Sequence, residues 1–159
     1  MPIDQLPAAE RTAVPWRNGG GVTREVASAD LWRVSLAEIA TDGPFSVFPG
    51  LWRVLTVVAG PGVELTVADA PPVTVEPLRP FAFPGDAPTS ARLLGGPVTA
   101  LNLMTRQPDA DLTLRTGGEL VPTPGHPLLA VALDGYDALL VTHPSTVAAP
   151  AGPLAVITL

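Results

Sequence analysis

Proline and glycine cut this chain into short pieces: 20 prolines and 15 glycines, 35 of the 159 positions, fall between runs of apolar and β-branched residues. Both residue types disfavour a helix interior. This punctuation excludes a helical bundle or a coiled coil, and the runs between the breaks have the period of strands. Leu31, Arg33, Ser35, Ala37 and Ile39 fall on one face of residues 31–39, with Trp32, Val34, Leu36 and Glu38 on the other. Residues 53–58, Arg-Val-Leu-Thr-Val-Val, are β-branched and bounded by Pro49-Gly50 and Gly60-Pro61. Further strands are expected at 63–68, 73–76, 81–83, 98–105, 112–115, 128–133, 138–141 and 154–158. Short strands at such intervals predict a sandwich or barrel. Helix is expected only at 4–11 and for a single turn after Pro108, where Asp109 and Asp111 would suit a helix N-terminus.

The length fits one domain, and no linker divides the chain. An apolar fraction of 47% with 15% charged residues supplies enough core to oppose disorder. A net charge of -6 repels a polyanion, so nucleic acid is not an expected partner. Every basic residue is arginine; without lysine there is no Schiff-base chemistry and no P-loop. Without cysteine there is no thiolate nucleophile, disulfide or zinc-thiolate site, which fits a reducing compartment. The first residues lack the basic and apolar regions of a secretory leader, and no apolar run is long enough to span a bilayer. The expectation is a soluble cytoplasmic protein with no membrane partner. Residues 107–159 hold one arginine against five acids, so an anionic ligand is expected in the first two thirds.

Four features bear on chemistry. Trp16-Arg-Asn-Gly-Gly-Gly-Val-Thr-Arg24 is the least generic stretch; it lacks the lysine and spacing of a phosphate loop, and its structural alternative is a glycine-rich bulge at a barrel rim. Arg53 opens an apolar strand with Leu55 and Val57 on its own face. A guanidinium there must pair with a carboxylate, such as Glu25 or Asp42, or meet a ligand. Asn102, on the face of 98–105 that also carries Met104, can fix a polar ligand or a neighbouring loop. An internal echo, Pro44-Phe-Ser-Val-Phe-Pro-Gly50 and Pro80-Phe-Ala-Phe-Pro-Gly85, delivers two aromatic pairs into Pro-Gly turns, either as a duplicated half-barrel or as a reused turn. The two histidines, His126 and His143, each precede a proline and form no ligand pattern, so no metal centre and no cofactor are expected.

In this order, these motifs resemble the HutD/Ves family. The resemblance rests on Trp16 to Gly21 with Thr23 and Glu25, Trp32-Arg33 with Ser35, Asp42 to Ser46 with Phe48-Pro49-Gly50 and Arg53. It continues through Pro80-Phe81, Phe83, Gly85-Asp86 and Asn102 with Met104 and Arg106, and so covers 16–106. It implies an all-β, cupin-type jelly-roll barrel, single or bicupin, without the metal-binding histidines of ordinary cupins. One cupin-like domain over 1–159 is expected, with 107–159 completing the barrel. It further implies a regulatory protein that senses a small carboxylate of histidine degradation, such as urocanate or N-formylglutamate. Ala100-Leu101 stands where the family usually has Asp-Phe, which removes one acceptor near the expected pocket.

On this reading Arg53 is the carboxylate clamp, Asn18 and Asn102 are amide contacts, and Trp16, Phe45 and Phe83 are apolar walls. The alternative is a metal-independent isomerase or hydrolase with Glu25 or Asp86 as general base. The absence of His, Cys and Lys from the motif-bearing segment favours binding over catalysis. A homodimer is left open as a further partner.

Overall fold

The computed structural model describes residues 3–107, 110–142 and 146–159. Seventeen strands run through them: β1 (Ile3–Leu6), β2 (Ala13–Pro15), β3 (Gly21–Ala29), β4 (Trp32–Ile39), β5 (Gly43–Pro44), β6 (Trp52–Ala59), β7 (Val63–Val67), β8 (Val73–Val75) and β9 (Phe81–Pro84), then β10 (Thr89–Leu93), β11 (Val98–Thr105), β12 (Asp111–Thr116), β13 (Glu119–Leu120), β14 (Leu128–Ala132), β15 (Ala138–Val141), β16 (Val147–Ala148) and β17 (Pro153–Thr158). Among the described residues the one helical piece is a 3-10 turn at Ala8–Glu10. The all-β expectation therefore holds, and the helix expected over 4–11 does not form. Ile3–Leu6 pairs instead with β15, and Pro7, which has no amide hydrogen to donate, ends the strand before the 3-10 turn. The turn expected after Pro108 lies in part outside the described residues; Asp111 opens a strand.

The chain forms two compact units, Thr12–Pro108 and Met1–Arg11 with Asp109–Leu159. In the first, a six-stranded sheet ordered β2-β3-β4-β11-β6-β9 and a four-stranded sheet ordered β5-β10-β7-β8 enclose one apolar cluster. Ile39, Leu55, Val57, Phe83 and Val98 from the larger sheet meet Val63, Leu65, Val75 and Ala91 from the smaller. The expected closed barrel is corrected here to two open sheets. Proline explains why: all four edge strands contain one or abut one, at Pro15 in β2, Pro44 in β5, Pro72 before β8, and Pro80 and Pro84 at β9. A proline cannot donate to a further ladder, so these edges stay unpaired.

The described strands of residues 111–159 join neither of those sheets. They form a five-stranded sheet ordered β1-β15-β14-β17-β12 and a two-stranded β13-β16 pair, around Leu120, Leu128, Ala130, Val141, Leu154 and Val156.

The register of the larger sheet sets up the site. β11 pairs antiparallel with both β4 and β6, so Met104 lies between Arg33 and Arg53, and Asn102 between Ser35 and Leu55. Residues directly opposite in a ladder point to the same face, which puts Arg33, Ser35, Arg53, Asn102 and Met104 on the face that also carries Leu55 and Val57.

Candidate ligand-binding site

Arg53 enters the sandwich interior because strand alternation leaves it no choice. Leu55 and Val57, two and four residues on, are fully buried on the same face, while Trp52 points outward and is exposed. The Arg53 residue is only 5% exposed. Its guanidinium carbon sits 5.2 Å from the ring centre of Phe45, 5.4 Å from Phe48 and 5.0 Å from Phe83. These distances suit cation–π attraction. Three of the chain's four phenylalanines thus form one cage, and the repeated Pro-Phe…Phe-Pro-Gly phrase supplies all three.

The cage leaves the cation short of partners. Arg53 makes one long hydrogen bond, from Nη1 to the Ser46 carbonyl at 3.4 Å, while its buried Nε has none. Neither carboxylate considered as a partner reaches it. Asp42 Oδ1 accepts the Leu93 amide at 2.8 Å, and Glu25 stands 3.7 Å from Arg33 Nε. Burial pushes the Arg53 pKa down to about 10, with the nearby Arg33 charge acting in the same direction. At neutral pH Arg53 is therefore a buried cation with no ion-pair partner among the described residues.

Asn102 is likewise 5% exposed, and its Oδ1 has no hydrogen-bond partner. It is the diagonal neighbour of Arg53 across β11 and β6. Five buried side-chain polar atoms lack partners among the described residues, and three of them, on Arg33, Arg53 and Asn102, belong to this one face. Buried polar groups are normally satisfied. Such clustering marks a place where a ligand's polar atoms would complete the bonding.

The loop that carries Phe45 and Phe48 is tied down by Gly85. Phe48 donates its amide to the Gly85 carbonyl and Gly85 donates to Leu51, both at 2.7 Å. A Cβ on Gly85 would come within 2.8 Å of the Phe48 carbonyl and 2.7 Å of the Leu51 carbonyl, so glycine is required by the close approach of backbones.

The glycine-rich stretch resolves into a tight hairpin turn followed by a strand, and the rim-crossing bulge is not what it forms. Trp16 and Gly21 are joined by a backbone bond of 2.9 Å, and Gly19 adopts a positive φ of 74°. Gly21 lies flat under the indole of Trp16, where a Cβ would meet the ring at 3.0 Å and collide with the Glu38 carbonyl. Trp16 Nε1 donates to Thr23 Oγ1 at 2.7 Å, and its ring meets Phe45 edge-on at 6.1 Å. Trp16 thus backs the cage wall. A bulge between Glu25 and Ala27 on β3 keeps Glu25 opposite Ser35 and beside Arg33.

Of the six residues expected to line the site, the structure brings Arg53, Phe45 and Phe83 into contact, with Trp16 behind Phe45 and Asn102 on the same sheet face. Asn18 is not part of this group: it sits exposed in the hairpin turn, where its Oδ1 accepts the Gly20 amide at 2.8 Å. Phe48, Arg33 and Ser35 belong to the cluster and were not among the six. The echo of the Phe phrases and the 31–39 alternation are the signals that point to them. The two carboxylates considered as bases are both exposed, Glu25 beside Arg33 and Asp86 in the turn after β9. His126 lies in the other unit, with Nδ1 3.1 Å from the Leu159 carbonyl, and His143 lies outside the described residues. An open groove of about 370 Å³ runs past Phe45 and is lined by Pro44, Val47, Thr66 and Ser90 among others. It carries no charged side chain, so the polar face around Arg53 is the stronger candidate.

Among known proteins, residues 8–126 match the family model described as HutD. The chain is 38% identical over 109 residues to an uncharacterized 21.2 kDa protein in the hutC 3' region of Pseudomonas putida, covering 64% of this chain and 57% of that one. It is 43% identical over 98 residues to protein Ves of Escherichia fergusonii, covering 57% and 51%. The matched stretch thus spans little more than half the length of these curated relatives. Over the whole fold it resembles the solved structure of HutD from Pseudomonas fluorescens SBW25, with a TM-score of 0.86 at 30% identity, covering 98% of this chain and 97% of that one. The two share an all-β fold, here with its sheets left open, and the chain belongs to the HutD family.

Proposed function

We propose that this protein binds a small carboxylate through Arg53 and acts as a sensor rather than a catalyst, the ligand being an intermediate of histidine degradation such as urocanate or N-formylglutamate. The observation that carries this reading is the caged guanidinium: a buried cation without an anionic partner, beside an unsatisfied amide oxygen on Asn102. A carboxylate docking on Arg53 forms charge-assisted hydrogen bonds with a group already desolvated by its cage. Asn102 Oδ1 then accepts from a ligand N–H or O–H. Phe45, Phe48 and Phe83 wall the organic part, the arrangement of a mostly apolar pocket with few polar anchors. Because the cage nearly encloses Arg53, entry requires the 45–50 loop to shift. The relative in the hutC 3' region supports the pathway assignment.

Calorimetric and thermal-shift titration with formate, acetate, urocanate and N-formylglutamate tests the reading. The expected result is a saturable shift with at least one of them that disappears in Arg53→Met. No shift with any carboxylate, or a shift that survives the substitution, overturns it.

A further inference from the structure

We infer that Arg33 is a second anion-binding position of the same site, held by Glu25 until a doubly charged ligand takes it, so that the site prefers dicarboxylates to monocarboxylates. This rests on the reading of Arg53 as the first clamp.

Three observations carry it. Arg33, Met104 and Arg53 occupy one row across β4, β11 and β6. Two strand spacings place the backbones of the two arginines about 10 Å apart on one face, a separation on the scale of a short dicarboxylate. Second, Arg33 is poorly served by its present partner. Its Nε is buried without a hydrogen bond, and Glu25 Oε1 stands 3.7 Å away. The Arg92–Glu64 pair shows what a satisfied pair looks like in this molecule: two hydrogen bonds at 2.9 and 3.2 Å. Third, the positive charge of Arg33 adds to the lowering of the Arg53 pKa that burial causes, so an anion between the two would be drawn by both charges.

The balance favours exchange of partners. The Glu25 side chain is 53% exposed, so a released carboxylate rehydrates readily, and exposed ion pairs contribute little to stability. The orphaned Arg33 Nε gains a charge-assisted bond in return. A monocarboxylate satisfies Arg53 and leaves Glu25 in place. Only a ligand with two carboxylates satisfies both guanidiniums, which makes Glu25 the internal competitor that sets selectivity by charge number.

The test compares glutarate and succinate with acetate by calorimetry, on the unaltered chain and on Arg33→Gln and Glu25→Gln. The unaltered chain is expected to bind a dicarboxylate about tenfold more tightly than acetate. Arg33→Gln should bring the two to similar affinity. Glu25→Gln, at an exposed position that leaves folding intact, should tighten the dicarboxylate several-fold and acetate much less. Equal affinities in the unaltered chain, or variants that move both ligands together, overturn the second subsite while leaving the Arg53 clamp standing. Loss of response to all carboxylates overturns both.

Discussion

The interiors of the two units are built on different terms. All six buried polar residues among those described, Ser35, Arg53, Thr56, Thr89, Asn102 and Thr105, belong to the unit spanning residues 12–108. The cluster inside the other unit is apolar throughout, with Leu120 and Leu154 fully buried. Both are sheet-on-sheet cores of similar strand chemistry, so the fold does not require a cation inside. The first unit carries one because its aromatic cage and backbone carbonyl keep an unpaired guanidinium tolerable. An unsatisfied interior group is a stability cost that packing alone would remove; one such atom, Arg11 Nε, lies in the other unit, and four, on Arg33, Arg53, Thr56 and Asn102, lie in the first.

The comparison breaks most sharply if the second interior tolerates the same charge. Leu154→Arg places a guanidinium among side chains that offer neither aromatic faces nor a free acceptor. It is expected to destabilise the protein by more than about 4 kcal/mol, a magnitude that burying an unpaired charge can reach. Soluble yield and thermal denaturation followed by circular dichroism read the result; a variant melting near the parent temperature would show that the contrast is not one of environment. The reciprocal change, Arg53→Met, removes the unpaired charge and keeps the volume. Carboxylate affinity should fall by about thirtyfold or more, with stability unchanged or raised by up to about 3 kcal/mol. A marked loss of stability would mean that Arg53 is chiefly a structural cation.

How much of this is legible in the sequence follows from which interactions are local. The alternations in 31–39 and 98–105 and the β-branched run after Pro49-Gly50 specify β4, β11 and β6 closely, because a strand buried on one face must repeat every two residues. β3 was not legible, since Val22-Thr-Arg-Glu-Val-Ala-Ser mixes polar and apolar positions and carries a bulge that breaks its period. β10 hides for a similar reason in Thr-Ser-Ala-Arg-Leu, and β1 reads as a helix start because its pairing with β15 is long-range. Within the site, the oddity of Arg53 in an apolar strand could be read directly. The cage could not: Phe45, Phe48 and Phe83 meet over Arg53 through the pairing of β6 with β9, the Gly85 backbone bonds and the bond from the Phe45 amide to the Thr89 carbonyl, all long-range. Asn18 failed because a side chain that closes its own turn has the same composition signal as one that binds a ligand.

Gly85→Ala probes that long-range tie. With two carbonyls inside 3 Å of the new Cβ, the 45–50 loop must lift from β9. The expected cost is about 1–3 kcal/mol, together with weaker carboxylate binding, as the cage loses its set. Normal affinity in a destabilised variant would separate the cage from recognition. A pH series gives a smaller and more specific readout. The folded Arg53 pKa, near 10, lies below that of the unfolded chain. Below that pH both states carry the charge and the folded state bears its full cost; above it the folded group sheds its proton first, so this residue's contribution to stability rises with pH. The carboxylate needs the protonated form. Affinity should therefore be flat from neutral pH to about 9 and decline above about 10, by roughly tenfold per unit once Arg53 is mostly neutral. A decline centred near neutrality would assign the binding to another group.

The smallest expected effect separates the two layers of the cage wall. Trp16 touches Phe45, not the guanidinium, and its indole is fixed by Thr23 Oγ1 on one edge and by the bare face of Gly21 beneath. Thr23→Val keeps the β-branched shape and removes only the acceptor, so the loss should be about 0.5–1.5 kcal/mol of stability. If Trp16 acts by holding Phe45 in place, carboxylate affinity falls by a few-fold, and Trp16→Phe, which retains an aromatic edge without the N–H, behaves like Thr23→Val. If both variants lose stability but bind as the parent does, the hairpin supports the fold alone, and the recognising surface stops at Phe45, short of Trp16.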